Sequence, residues 1–310
     1  MYLHMNKQLP DELIFLQNRN AVQKKTNARL DGKISLISGS TSGVGLSAVR
    51  ALAAAGSDIV MLCRNPNKGA VVKNEIENLH HVKVDVITAD FSRLEEVRKA
   101  TSRIIQAYPR IDILVNSAGM HSTTRQVSAE GFELVFCVNH LAQFLLTYSL
   151  LELLISSKNA RIIQVSSEGH RFGGLDRSDL HWERRFYTGL RGYGASKTAQ
   201  MLTTWKFAQI LHGSGSVINA IHPGDVRTNI GNNNGPAYRW FLHHVTWRML
   251  KDVSISGEAI HYIAAAPEMA QVNGKFFHLT FEETPAKQAL DPVAIQAMWE
   301  ISKRLTGLPL

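Results

Sequence analysis

Short apolar runs rich in β-branched residues alternate with longer stretches of helical spacing, and the alternation begins at Ile34. Ile34 to Ser38 follows the turn Asp31-Gly32-Lys33 and reads as a buried strand. The turn Gly39-Ser40-Thr41-Ser42-Gly43-Val44-Gly45 leads into a helical pattern from Leu46 to Ala55 that stops at Gly56. Asp58 to Cys63 then supplies a second buried strand and completes a βαβ unit of about thirty residues. Further along, the pattern predicts helices over Asn67–Leu79, Leu134–Leu154, the Tyr193 region and Ser256–Ala265. It predicts strands over His81–Ile87, Ile111–Val115, Arg161–Val165, Ser216–Ile221 and Gly274–Phe277. This is an α/β pattern in one domain, residues 31–310, preceded by an extension, residues 1–30, with a helix or arm around Glu12 to Gln23. Two segments fall outside the alternation: a polar and aromatic stretch, 168–192, read as a substrate loop, and the aromatic-rich 229–250, read as a lid.

Composition narrows the picture. With 310 residues and 45% hydrophobic content the chain can bury a large core, and no linker, repeat or low-complexity tract divides it. The two cysteines, Cys63 and Cys137, lie inside apolar runs without CxxC spacing, which predicts free thiols in a reducing, cytoplasmic setting and no metal site. In residues 1–30 the longest apolar stretch, Leu13 to Leu16, is too short for a signal sequence or a membrane span, so no integral membrane segment is expected. A net charge of +8 is spread over scattered Lys and Arg with no basic run interleaved with aromatics. That favours a surface attracting an anionic small molecule over one binding nucleic acid. Peripheral membrane contact through the lid and homo-oligomerisation stay open.

The glycine spacing, G-x3-G-x-G, differs from the G-x-G-x-x-G fingerprint but has the same context of strand, turn and helix. Gly39, Thr41, Ser42, Gly43, Val44 and Gly45 are therefore candidates to cradle a pyrophosphate against the free N–H groups of a helix start. After the second strand an acidic residue would select NAD, whereas Arg64 stands here and can pair with a 2′-phosphate; NADP is the preferred cofactor and NAD the second choice. The competing reading has Arg64 capping the strand edge or stacking on adenine. Asp90, beside Phe91, either accepts from an adenine amino group or caps the following helix, where Ser92 and Glu95 offer a capping box of their own. Asn116, Ala118 and Gly119 end a strand with small residues that suit a flat ribose or plain packing.

Asn139 interrupts an apolar helix face and needs hydrogen bonds, either as a cap at a kink or within a polar network. Ser167 stands just past a strand, where an open α/β sheet forms its crevice. Tyr193 and Lys197 are four apart on a helix, so the ammonium can stand beside the phenol and favour the phenolate; such a pair is also common on solvated faces. Pro223, Gly224, Val226 and Thr228 form a turn after a strand, and Thr228 either holds a carboxamide or caps the next segment.

Together these motifs resemble the short-chain dehydrogenases/reductases. Ser38 to Gly45 resembles that family's TGxxxGxG motif, with serine for threonine, and Asn116 to Gly119 its NNAG, with Ser117 for asparagine. Asn139, Ser167, Tyr193 and Lys197 resemble its catalytic tetrad. Cys63-Arg64-Asn65, Val138 to Thr147 and His222-Pro223-Gly224 are similar to the retinol dehydrogenase and WW-domain oxidoreductase group, which mostly prefers NADP and acts on lipophilic alcohols and aldehydes. The resemblance implies a doubly wound Rossmann-type domain with a seven-stranded, mostly parallel sheet and helices on both faces. It also implies roles. Ser167 binds the substrate carbonyl, Tyr193 donates the proton, Lys197 lowers the tyrosine pKa and binds the nicotinamide ribose, and Asn139 holds a water that links Lys197 to solvent. A sugar-nucleotide epimerase shares the Tyr/Lys chemistry but usually has a longer C-terminal substrate domain than residues 281–310 provide. A non-catalytic nucleotide sensor would have no need of Ser167 and Tyr193 together.

Overall fold

The computed structural model describes residue 18, residues 21–226 and residues 250–309. Five of the apolar runs become parallel strands close to their expected limits: β1 (Ile34–Ser38), β2 (Asp58–Cys63), β4 (Ile113–Asn116), β5 (Arg161–Val165) and β6 (Val217–His222). β3 (Val84–Thr88) starts later than expected, because His81 takes a left-handed conformation (φ 57°) that ends the preceding helix. β7 (Phe276–His278) continues the parallel set, and β8 (Phe281–Glu283) pairs with it antiparallel. Among the described residues the sheet therefore has eight strands, in the order β3-β2-β1-β4-β5-β6-β7-β8, rather than seven. The eighth escaped notice because Phe281-Glu282-Glu283 is too short and too acidic to resemble a buried strand.

Strand residues alternate between two cores. Leu36, Leu114, Ile162 and Ile218 pack on one side with α3 (Leu94–Ala107), the helices after β4, α7 (Gly189–Leu211) and α9 (Pro292–Leu305). Ile37, Val115, Ile163 and Ile221 pack on the other with α1 (Gly43–Ala54), α2 (Pro66–His80) and α8 (Ser254–Ala265). Burial on both faces explains why the strands are apolar throughout instead of alternating with polar residues. Order reverses at β1, with β2 on one side and β4 on the other, and the crevice at such a switch point lies beyond the strands' carboxyl ends.

Two helical expectations change. The single helix over Leu134–Leu154 is divided into α4 (Leu134–Phe136), a π-helical turn (Cys137–Leu141), α5 (Ala142–Ser149) and α6 (Leu151–Ser156). Asn139 lies in the π-helical turn, a bulge type frequent at functional sites. The capping box of Ser92 with Glu95 does not form: Asp90 Oδ1 accepts from the Ser92 N–H (2.9 Å) and hydroxyl (2.8 Å), and Glu130 caps Leu94 N (2.8 Å). Glu95 instead lies 3.6 Å from Arg98 and 3.8 Å from Lys99.

Residues 21–30 have no regular secondary structure. Lys24 N donates to Thr280 Oγ1 (2.9 Å) and the Gln23 side chain accepts from Thr280 between β7 and β8, whereas Ala28 O meets His261 of α8 and Leu30 N donates to Ala55 O just past α1. Most of the expected N-terminal helix, Thr228 and all of the expected lid except Leu250 lie outside the described residues. Among the described residues no helix is long and apolar enough to cross a membrane.

Candidate active site

The first requirement of a nucleotide cleft is a backbone that a phosphate can approach. Gly39 (φ +66°) supplies it: a Cβ there would sit 2.8 Å from Ala118 Cα, so only glycine lets the two strand ends close together. Gly45 is held just as tightly, since its Cβ would lie 2.3 Å from the Gly39 carbonyl oxygen. Ser38, at the position where the resembled motif has threonine, joins the two loops. Its hydroxyl accepts from Ser117 N (3.0 Å) and Ala118 N (3.1 Å). α1 starts at Gly43 with no side-chain cap from Ser42 and no acidic residue in its first turn, leaving its N–H donors and positive dipole end for a ligand.

Two adjoining cavities share Gly39, Ser42 and Gly119. One, about 340 Å³, is lined by Gly43, Val44, Gly45, Ser167, Tyr193, Lys197, Pro223, Gly224 and Val226. The other, about 530 Å³, is lined by Thr41, Arg64, Asp90, Phe91 and Ala118. Each falls within the usual size of a ligand pocket. Arg64 is exposed and, among the described residues, has no hydrogen-bond or ion-pair partner. Asn65 caps α2 by accepting from Lys68 N (3.0 Å), which brings Lys68 into the lining of the same cavity. Lys68 was missed in the sequence. The available signal was a cation in the first turn of a helix, where the dipole disfavours it unless an anion is to be met.

Two sequence candidates stand behind the cleft. Asn116 is fully buried and donates to Thr147 Oγ1 (2.8 Å) and Gln164 Oε1 (3.0 Å), so its side chain turns into the core and does not line either cavity. Asn139 is also fully buried: its Oδ1 accepts from Met120 N (2.8 Å), and its Nδ2 donates to Met120 O (3.0 Å) and Ser196 Oγ (3.1 Å). Both readings of Asn139 thus meet, at a helix irregularity and inside a polar network.

The Tyr193 helix begins four residues before the tyrosine, at Gly189, with Thr188 capping Arg191 N. On β5's side, Ser167 opens a 3₁₀ turn (Glu168–Arg171) by accepting from Gly169 N at 3.0 Å. A Cβ on Gly169 would meet Tyr193 Cε1 at 2.8 Å; the missing side chain lets this turn lie on the ring. Ser167 and Tyr193 come together as a result on one wall of the smaller cavity. Burial raises the Tyr193 pKa, opposed by the neighbouring Ser167 side chain. The phenol is therefore neutral near pH 7, the form that can donate a proton, and the expected lowering by Lys197 is not the dominant influence here.

Lys197 explains why. Its Nζ lies 5.7 Å from the Tyr193 ring centroid and donates to Val165 O (2.9 Å) and Gln200 Oε1 (3.2 Å). Burial pulls its pKa from 10.5 down to about 7, so a full positive charge is not maintained beside the phenol. The sign of the linked stability follows. Between about pH 7 and 10.5 the unfolded chain holds a proton that the folded one lacks, so this group's contribution to stability increases as pH rises across that window. Lys197→Met should remove a slope of up to about 1.4 kcal/mol per pH unit from the unfolding free energy of the cofactor-free protein. Urea unfolding at several pH values in the window reads this directly, and parallel wild-type and variant profiles would exclude the lowered pKa.

Gln200 is the second residue that the sequence reading passed over. Its amide accepts from Lys197 and donates to Asn139 O at 3.1 Å, so it bridges directly the two groups that the family resemblance joins through a water. It also donates to Gln143 Oε1 (2.6 Å), and the Gln164 amide donates to the same oxygen. The only signal was a glutamine in the otherwise apolar face of the Thr198–Leu211 helix.

Comparison with known proteins agrees with this architecture. Residues 33–239 match the family model described as short chain dehydrogenase. Retinol dehydrogenase 13 of Homo sapiens is 35% identical over 289 residues, which cover 91% of this chain and 87% of that protein. A candidate daunorubicin C-13 ketoreductase of Streptomyces sp. (strain C5) is 32% identical, over 90% of this chain and 94% of its own. Among solved structures, a short chain dehydrogenase from Burkholderia cenocepacia J2315 in complex with NADP is similar with a TM-score of 0.65 and 24% identity, covering 81% of this chain and 97% of that one. With the doubly wound sheet and the glycine turn already in view, the chain belongs to the short-chain dehydrogenase family, NAD(P)-using oxidoreductases that act between CH–OH and C=O groups.

Proposed function

We propose that this chain is an NADP(H)-dependent oxidoreductase for a lipophilic aldehyde, ketone or secondary alcohol, with Tyr193 as general acid in reduction and general base in oxidation. The observation that carries this reading is the meeting of Ser167, Tyr193 and Lys197 on the wall of the cavity that also contains the Gly39–Gly45 cradle. The cradle fits a dinucleotide: Gly39 and Gly45 leave no room for side chains, and the α1 N-terminus leaves donors for a pyrophosphate. Arg64 and Lys68 at the far cavity suit a 2′-phosphate, which supports NADP over NAD. When bound, the nicotinamide supplies or accepts the hydride.

The chain's own groups handle the proton and the positioning. Ser167 donates a hydrogen bond to the substrate oxygen, and the neutral Tyr193 phenol transfers its proton there as negative charge develops. Lys197 steadies the resulting phenolate and holds the ribose. Gln200 and the Asn139 carbonyl fix the lysine from behind. Residues 168–192 act as the substrate-side loop of a domain spanning 31–310. The names of the two relatives, a retinol dehydrogenase and a ketoreductase, support an apolar alcohol or carbonyl compound as substrate.

A panel of aliphatic and aromatic aldehydes and ketones, followed by loss of NADPH absorbance, tests the reading. Turnover of at least one lipophilic member is expected. Protein that binds NADPH but turns over none of the panel would count against an enzyme of this substrate class.

A further inference from the structure

We propose that Glu168, His222 and His278 form a binding site for one divalent transition-metal ion, with Zn²⁺ the best match, at the floor of the cleft, where His222 also lines the smaller cavity. The three residues come from the carboxyl ends of adjacent parallel strands: Glu168 just beyond β5, His222 closing β6 and His278 closing β7. His222 and His278 are register partners, with ring centroids 4.9 Å apart and planes at 75°. One donor atom from each residue lies within 4.8 Å of the other two, and all three residues are buried.

The second observation is independent of that clustering. Glu168 Oε1, both ring nitrogens of His222 and His278 Nδ1 are buried without any hydrogen-bond partner. Their residues are only 6%, 5% and 3% exposed. Folded interiors rarely leave such atoms unsatisfied, and several orphans converging on one point indicate an occupant. Two imidazoles and a carboxylate are among the donors that Zn²⁺ takes.

Distances and charge agree. His278 Nδ1 lies 3.8 Å from Glu168 Oε1 and 3.6 Å from Glu283 Oε1. Bonds of about 2.0–2.1 Å to a tetrahedral centre put donor atoms roughly 3.4 Å apart, so side-chain adjustments of about 1 Å would close the site. The neighbouring charges are two carboxylates, Glu168 and Glu283, and one buried guanidinium, Arg171, which binds the other Glu168 oxygen at 2.5 Å and lies 3.7 Å from Glu283 Oε2. Asp225, 3.8 Å from His222 Nε2, adds a third carboxylate at the rim. Lys251, which also acts on His278, stands with Arg171 against the three carboxylates. Arg171 holds one Glu168 oxygen and leaves Oε1 as the ligand atom. The ion would brace the ends of β5, β6 and β7 below Ser167 and Pro223, and no step of the reaction passes through it.

The test uses the full chain, stripped with a chelator and titrated with Co²⁺ as a spectroscopic probe. Saturation at one Co²⁺ per chain, visible bands of a tetrahedral centre, displacement by Zn²⁺ and a rise in Tm of roughly 5 °C at a hundredfold excess over Kd are expected. Glu168→Gln and His278→Gln should each weaken binding by about tenfold or more. No stoichiometric Co²⁺ uptake, an octahedral spectrum, or unchanged affinity in both variants would overturn the site and mean an adventitious ion on surface histidines only. Should the variants fail to fold, the wild-type stoichiometry and spectrum decide the question alone. Because every readout here is metal binding, failure of this site and failure of the proposed hydride transfer are read by separate measurements.

Discussion

Tyr193→Phe is expected to lower turnover by about 10²–10⁴-fold while NADPH affinity stays near that of the wild type. The substitution removes one hydroxyl and keeps the ring, so the contact with Gly169, where a Cβ would lie 2.8 Å from the ring, persists. What disappears is the only phenol that lines the cavity beside Ser167 and Lys197 among the described residues. Ser167 cannot replace it, because a serine hydroxyl is a far weaker acid than a phenol. NADPH consumption under steady state, read beside a fluorescence titration of cofactor binding, separates the two effects. A variant with full rate would rule out the proton-transfer role, whereas one that loses both rate and binding would show the tyrosine to be mainly a cofactor support.

Arg64→Asp should have the second largest effect, and on selectivity more than on rate. Charge-assisted hydrogen bonds to a phosphate are worth about 1.5–3 kcal/mol, or roughly 10- to 100-fold in affinity. The introduced carboxylate adds repulsion of the 2′-phosphate and can itself accept from a ribose hydroxyl. The ratio of NADPH to NADH affinity should therefore fall by about 100-fold or more, with NADH binding equal or improved. Lys68, on the same cavity wall, keeps residual attraction for the phosphate, so the double replacement of Arg64 and Lys68 should exceed the single one. A wild-type preference for NADH would remove the basis of this prediction.

How much of this was legible in the chain depends on whether the signal was local. β1, β2 and β5 were read to the residue because double-sided burial leaves a continuous apolar run with sharp polar limits. The glycine turn was legible for a similar reason, since its backbone requirement acts at single positions. β8 was not, because its pairing depends on the neighbouring strand and not on its own composition. The π-helical turn at Cys137–Leu141 was equally hidden: the hydrogen bonds between Asn139 and Met120 span 19 residues of sequence. The Gln200 bridge and the Glu168, His222 and His278 cluster were likewise invisible, since each needs residues from separate elements to meet. Asn116 shows what a motif leaves out: its side chain turns into the core, a direction that the sequence of the strand end does not give. Tyr193 and Lys197 lie between these cases. Their spacing was plain, but the direction of their pKa shifts depended on burial that only the fold supplies.

The central claim, hydride transfer between a nicotinamide and a carbonyl carbon, can be followed atom by atom. NADPH deuterated at the nicotinamide C4, supplied separately with the label on each face, is incubated with the protein and the best substrate of the aldehyde and ketone panel, and the product alcohol is examined by mass spectrometry. The account predicts one deuterium on the carbinol carbon from one of the two labelled cofactors and none from the other. An alcohol product that carries no deuterium from either would contradict it.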